Sequence, residues 1–289
     1  TPLYGARYIN RIALSPENPR VMLNIMAQRP ANTEVPKKRI EELTKMVEQA
    51  LLVFDSELVK HYDFMVRLTD DGYSGGSEHA TSSEISGTSD YLTNWGQQLN
   101  NRDIIAHELV HAWNGLSRIP ADLWTPTPNE PQGTSLLWVY EGQTEMWGRV
   151  LAARSGLRSV QETLDQLALD AAEVANRTGR SWRPLSDDVK YPSFMLGKRA
   201  PWRDWQRRKD YYREGVLLWL DVEATMRAQT NGYSGLDDFA RSFFAKSVTE
   251  KTYTFESLCA DLAKLAPYDW RGFFEQKLEG HNVDPAEAL

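Results

Sequence analysis

The seven residues from Ile105 to His111 carry the clearest chemistry in this chain, reading Ile-Ala-His-Glu-Leu-Val-His. On a helix of 3.6 residues per turn, His107 and His111 project about 40° apart, so both imidazoles reach one ion. Glu108 then stands beside that ion. Zinc held by two histidines and a carboxylate keeps one position for water and lowers that water's pKa to about 7. Glu108 is the group that would accept the water's proton and later pass it to a leaving amine. An amphipathic helix with two incidental histidines gives the same pattern in roughly one chain in a hundred, so the motif needs support from elsewhere.

A two-histidine helix needs a third protein ligand, and two downstream glutamates compete for the role. Glu130 lies between Pro128 and Pro131 in a loop, where backbone mobility holds a ligand poorly. Glu141 lies in Leu-Leu-Trp-Val-Tyr-Glu-Gly-Gln-Thr-Glu, residues 136–145, which reads as a helix. Glu141 is therefore the favoured ligand. Glu145, one turn on, shares its face and is placed to take the second ring N–H of His107 or His111, the usual arrangement for a ligating histidine. The set calls for one Zn(2+) per chain, although cobalt and manganese accept the same donors. His61 and His79 read as surface or supporting residues, and His281 lies in no motif.

The elements that must position these groups follow from periodicity. Residues 7–27 read as two strands around a turn at 15–19, and about 36–60 as a long helix with Ile40, Leu43, Val47, Leu51, Phe54 and Leu58 on one stripe. Phe64, Val66 and Leu68 alternate as a further strand. Asp70 to Gly76 reads as turn, and His79 to Ile85 as an edge strand able to pair with an extended peptide. After Asn101 the pattern is almost wholly helical, with helices expected near 101–115, 134–154, 159–177, 210–229, 235–246, 254–265 and 269–279. Loops at 117–133 and 178–209 interrupt it. Strands precede helices, which predicts an α+β fold, with an N-terminal α+β lobe over 1–100 and a helical lobe carrying the zinc site over 101–289.

Composition sets the outer bounds. The chain has 289 residues and a net charge of −7, from 33 basic and 40 acidic groups. That balance leaves no electrostatic footprint for nucleic acid and argues against an anionic membrane partner. No run has the length of a transmembrane helix. Cys259 is the single cysteine, so no internal disulfide forms, and its apolar helical setting reads as a buried thiol. The start at Thr1, with neither methionine nor a hydrophobic leader, suggests a processed terminus or a fragment.

Four blocks together resemble the glycyl aminopeptidase family of gluzincin metallopeptidases. His107 to Pro120 reads His-Glu-Leu-Val-His-Ala-Trp-Asn-Gly-Leu-Ser-Arg-Ile-Pro, and Trp138 to Trp147 follows. Gly75-Gly76-Ser77-Glu78-His79 is similar to the family's Gly-Gly-Leu-Glu-His, and Tyr211-Tyr212-Arg213-Glu214-Gly215 to its Tyr-Tyr-x-Lys-Gly. Ser77 stands where that family has an apolar residue, and Glu214 where it usually has lysine. The resemblance implies a thermolysin-like zincin catalytic domain: a small mixed sheet, then a mainly helical lobe, with the active site in the cleft between. It implies that Glu78 grips a substrate's α-ammonium, that the backbone of Gly75 and Gly76 approaches the substrate, and that Tyr212 donates to the oxyanion. It also implies an unblocked peptide substrate with a small first residue, glycine or alanine, and a periplasmic or secreted setting. The N-terminal β domain and C-terminal PDZ domain usual in such proteins find no room here.

The expected function is thus a zinc metalloaminopeptidase. A zinc endopeptidase would need no Glu78, and a non-catalytic zinc-containing peptide-binding module would have no use for Glu108 or Tyr212.

Overall fold

Alternating side chains and one helical crossover build the sheet. The computed structural model describes residues 4–16, 20–54, 60–70, 74–127, 129–190, 203–246 and 249–281. Strands β1 (Tyr8–Ser15) and β2 (Arg20–Ala27) pair antiparallel; the turn residues 17–19 lie outside the described residues. Helix α1 (Lys37–Phe54) then crosses over so that β3 (His61–Leu68) runs parallel to β2, the connection that parallel strands require. Strands β4 (Gly75–His79) and β5 (Ser82–Gly87) complete a mixed sheet in the order β1-β2-β3-β5-β4. Tyr62, Phe64, Val66 and Leu68 form the buried face of β3, and Leu43, Met46, Val47, Ala50, Val53 and Phe54 the buried stripe of α1.

The sheet's edges are β1 and β4, and that β4 rather than 79–85 forms the second edge corrects the expectation for 79–85. Gly75 and Gly76 carry turn chemistry in the sequence but are strand residues, and Ser82 to Ile85 belong to β5, one strand in from the edge.

The chain forms two compact units, one of residues 1–117 with 147–163 and one of 118–146 with 164–289. This partition does not fall at residue 100, because helix α2 (Ile104–Val110) packs on β4 and β5 and so belongs with the sheet. In the first unit Phe54 stacks on Trp113 with ring centroids 4.4 Å apart. Asp103, immediately before α2, is buried between Arg149 and Arg158, with Arg158 at 3.1 Å.

The second unit is helical. The helix expected over 134–154 divides at Glu141 into α3 (Leu137–Tyr140) and α4 (Gly142–Ser155), whose later residues belong to the first unit. Helices α5 (Val160–Ala175), α6 (Leu185–Asp188), α7 (Arg203–Gln206), α8 (Asp210–Gln229), α9 (Leu236–Ala245), α10 (Phe255–Leu265) and α11 (Trp270–Glu279) follow. In the second unit, Trp138 and Trp219 stack at 6.0 Å, and the Trp219 indole donates to the Trp138 carbonyl at 3.1 Å. Two short parallel strands, β6 (Ile119–Pro120) and β7 (Thr252–Tyr253), join the 117–133 loop to the helices. Within the 178–209 loop, residues 191–202, including Trp202, lie outside the described residues; Trp182 and Trp205 pack together at 4.9 Å.

Replacing Asp103 with alanine would leave two buried guanidinium groups without their shared carboxylate. A loss of about 3–5 kcal/mol in urea unfolding is expected, against under about 1 kcal/mol if the cluster behaves like an exposed ion pair.

Candidate metal centre

Helix α2 is short, and its first hydrogen bond and its exit mark its ends. The Asp103 carbonyl accepts the His107 N–H at 2.8 Å, and the chain turns out after His111 to reach Gly115, whose φ of 138° suits glycine. Ile105, Ala106, Leu109 and Val110 are buried. The Tyr62 hydroxyl, kept protonated because burial pushes its pKa up, donates to the Glu108 carbonyl at 3.0 Å and ties α2 to β3. On another side, α4 comes so close that a Cβ at Gly148 would meet the backbone of His107 at 3.4 Å.

Both histidines are buried, and they turn the same nitrogen toward one point. His111 Nδ1 lies 2.9 Å from the Asn114 carbonyl. A carbonyl only accepts, so Nδ1 carries the hydrogen and Nε2 offers its lone pair. Nε2 of His107 and Nε2 of His111 are 3.1 Å apart, with the rings at 80°. Two imidazole ligands at zinc distances of about 2.0–2.1 Å in a tetrahedral site stand roughly 3.3 Å from one another. The donor pair therefore fits zinc in spacing and in type.

Beside this pair stand two acids, Glu78 from the edge strand β4 and Glu108 from α2 itself. Glu78, Glu108 and His111 each offer one ligand atom, and these atoms lie within 4.8 Å of one another. Residues 76 and 78 share one face of β4, since strand side chains alternate. That face meets α2: a Cβ on Gly76 would run into the Glu108 carboxylate. Gly76 thus makes room for Glu108, a role the expectation of substrate approach had not included. Ser77 and His79 face the other way, where His79 Nε2 lies 2.7 Å from Glu84 Oε1. The departure at Ser77 is consequently turned away from Glu108.

The second unit gathers the remaining expected residues. Glu141 sits at the joint between α3 and α4, and its carbonyl accepts the Glu145 N–H at 2.8 Å. The Tyr212 hydroxyl hydrogen-bonds the Glu141 carboxylate; burial first, then that negative charge, holds the phenol well above its ordinary pKa. Tyr212 is therefore a proton-bearing donor. Tyr211 is buried next to it, with ring centroids 5.0 Å apart. Gly215 allows this assembly, because a Cβ on Gly142 would come within 2.9 Å of the Gly215 Cα. Glu130 is exposed in its loop, 3.4 Å from the Thr127 hydroxyl. Glu214 is buried against Arg207 and Arg180, so two arginines answer the charge reversal noted in the sequence.

Two residues of the His107–Pro120 block are packed into the fold. Trp113 packs on Phe54, and Arg118 is fully buried, 3.9 Å over the Phe243 ring and donating to the Phe243 carbonyl at 2.8 Å. The Asp103–Arg149–Arg158 cluster was missed in the sequence; an acid just before a helix was its only local signal.

Residues 100–218 match the model of a family described as M61 glycyl aminopeptidase. This range holds His107, Glu108, His111, Glu141, Glu145 and Tyr212, whereas Glu78 precedes it. No curated protein matches the chain. Among solved structures, an aminopeptidase N family protein from Idiomarina loihiensis matches with a TM-score of 0.80 at 18% identity, over 95% of this chain and 47% of that one. An M1 zinc metallopeptidase from Deinococcus radiodurans gives 0.58 at 17% identity, over 95% and 53%. Yeast LTA4 hydrolase in complex with bestatin gives 0.59 at 17%, over 93% and 39%. The chain thus spans about half the length of these proteins or less, and what it shares with them is the fold, as the motif resemblance implied.

The contact of Gly76 with Glu108 is testable without any assay of function. Gly76→Ala is expected to destabilise the protein by about 1–3 kcal/mol through overpacking, while Ser77→Ala stays within about 0.5 kcal/mol. Equal denaturation midpoints for the two variants would show that β4 gives way freely.

Proposed function

We propose that this chain is the catalytic region of a zinc metalloaminopeptidase that hydrolyses the first peptide bond of unblocked peptides. The observation that carries the reading is the convergence of His107 and His111 Nε2 atoms at 3.1 Å with Glu108 and Glu78 beside them. His107, His111 and Glu141 are the proposed ligands of one zinc ion. Support for Glu141 comes from the match of residues 100–218, which hold it together with both histidines, to a peptidase family. When bound, the zinc supplies Lewis acidity toward water and the substrate carbonyl.

The other roles belong to the chain's own side chains. Glu108 accepts a proton from the attacking water and returns it to the leaving amine. Its carboxylate is held for this between α2 and Gly76, with little freedom to turn away. Tyr212 donates its hydroxyl hydrogen to the oxyanion that develops at the scissile carbonyl. Glu78 binds the substrate's α-ammonium, which fixes the first peptide bond over the site and makes the enzyme an exopeptidase. Glu145 orients a ligating imidazole. A preference for a small first residue, glycine or alanine, follows from the motif resemblance, and the matched family's description names the glycyl case. The periplasmic or secreted setting belongs to the same proposal.

Ala-Ala-Phe amide should be cleaved in a chelator-sensitive manner and its N-acetylated twin should not. Cleavage of both would make the protein an endopeptidase, and cleavage of neither by zinc-loaded protein would make it a binding module. Glu108→Gln is expected to lower kcat by about 10²–10⁴ with zinc content unchanged, and Tyr212→Phe by about 10²–10³. Glu78→Gln should narrow the gap between free and blocked peptides; an unchanged ratio removes Glu78 from substrate binding.

A further inference from the structure

The turn that presents Tyr212 is held by a residue that no motif marks. Helix α8 starts at Asp210, so Tyr211 and Tyr212 are its second and third residues. Its entry is irregular. Arg207 and Lys209 both have left-handed backbone, with φ of 48° and 57°, and Lys209 makes no side-chain cap. The first N–H groups of a helix have no partner within it and need one from elsewhere.

Asp188 supplies that partner from the end of α6. It is fully buried, and its Oδ2 accepts the Asp210 N–H at 2.8 Å. The rest of the entry is fastened by the guanidinium of Arg207, itself 1% exposed. Arg207 bonds the Asp210 carboxylate at 2.9 Å, pairs with Glu214, and donates to the Arg183 carbonyl at 2.7 Å, while Arg183 donates to the Gln206 carbonyl at 2.9 Å. Arg180 stands 3.5 Å from Glu214 on its other oxygen. Glu214, where the resembling family usually has lysine, therefore belongs to a device that locks the first turn of α8 from both sides.

We propose that Asp188 is a positioning residue for Tyr212: its carboxylate caps α8 from outside the helix and fixes the rotation of the first turn, and with it the direction of the Tyr212 hydroxyl. The cap is kept despite its unfavourable setting. Burial first, and then the charge of Asp210, raises the Asp188 pKa to about 6, against the pull of Arg207 and Arg183. Among the described residues, Glu214 and the Tyr211 hydroxyl also interact with it. Since this pKa lies above that of the unfolded carboxyl, ionised Asp188 opposes folding, and the penalty grows as pH rises from about 4 toward 6.

The kinetic test rests on the peptidase reading, and a spectroscopic one does not. In zinc-loaded protein, Asp188→Leu removes the acceptor at similar volume; kcat for Ala-Ala-Phe amide is expected to fall about ten- to hundredfold with KM within twofold and zinc content unchanged. Asp188→Asn keeps an acceptor oxygen and should recover most of the loss. An unchanged kcat in Asp188→Leu, a loss that tracks zinc or folded fraction, or an Asp188→Asn as slow as Asp188→Leu would overturn the proposal. Independently, 3-fluorotyrosine placed at position 212 reports its surroundings by ¹⁹F NMR. A transition near pH 6 that disappears in Asp188→Asn supports the coupling, and identical titration curves overturn it even if Asp188→Leu does not fold. Absence of all peptidase activity with that transition present would sink the function and leave the positioning role standing.

Discussion

The placement of one short helix governs the chemistry of the first unit, and a buried carboxylate governs that placement. Asp103, between Arg149 and Arg158, holds the entry of α2 against the returning segment of α4. Taken alone, a buried ion cluster is weak evidence for stability, because desolvation offsets much of its attraction. Its effect here is on position: Arg149 from α4 and Arg158 from the segment after it meet different oxygens of one carboxylate. With the entry fixed, the Tyr62 hydroxyl on the Glu108 carbonyl sets how far α2 lies from the sheet, and the Asn114 carbonyl sets which nitrogen His111 presents.

These supports were not legible in the residues, but the candidate donors they position were. The histidine spacing, the acid after the first histidine and the glutamate pair at 141 and 145 are local patterns, and local patterns survive folding. The mixed sheet and the later helices also stand close to where periodicity puts them; α8 runs over Asp210–Gln229 as expected. What was illegible depends on distant partners. A glycine pair looks the same in a turn and in a strand that must pass beside a carboxylate, so β4 was hidden. Trp113 and Arg118, which carry part of the family resemblance, are held by Phe54 and Phe243, more than fifty residues away in each case.

Glu214 illustrates the same limit from the opposite direction. In sequence it is only a charge reversed relative to the resembling family. In the fold its charge is met by Arg207 and Arg180, both from the irregular segment that periodicity could not resolve. A loop that reads as unstructured surface is in part the counterweight to a buried acid.

The close approach of Gly142 to Gly215 has a consequence for how this protein can change. Each glycine occupies the space that a side chain on the other would need, so neither position has a tolerated neighbour in sequence space while its partner stays as it is. A methyl group at either would push α8 away from the Glu141 joint, and no substitution at the other can restore the gap, because both are already at the minimum size. The two positions therefore form a single inheritance unit: the backbone crossing beside Tyr211 has no gradual route to an alternative.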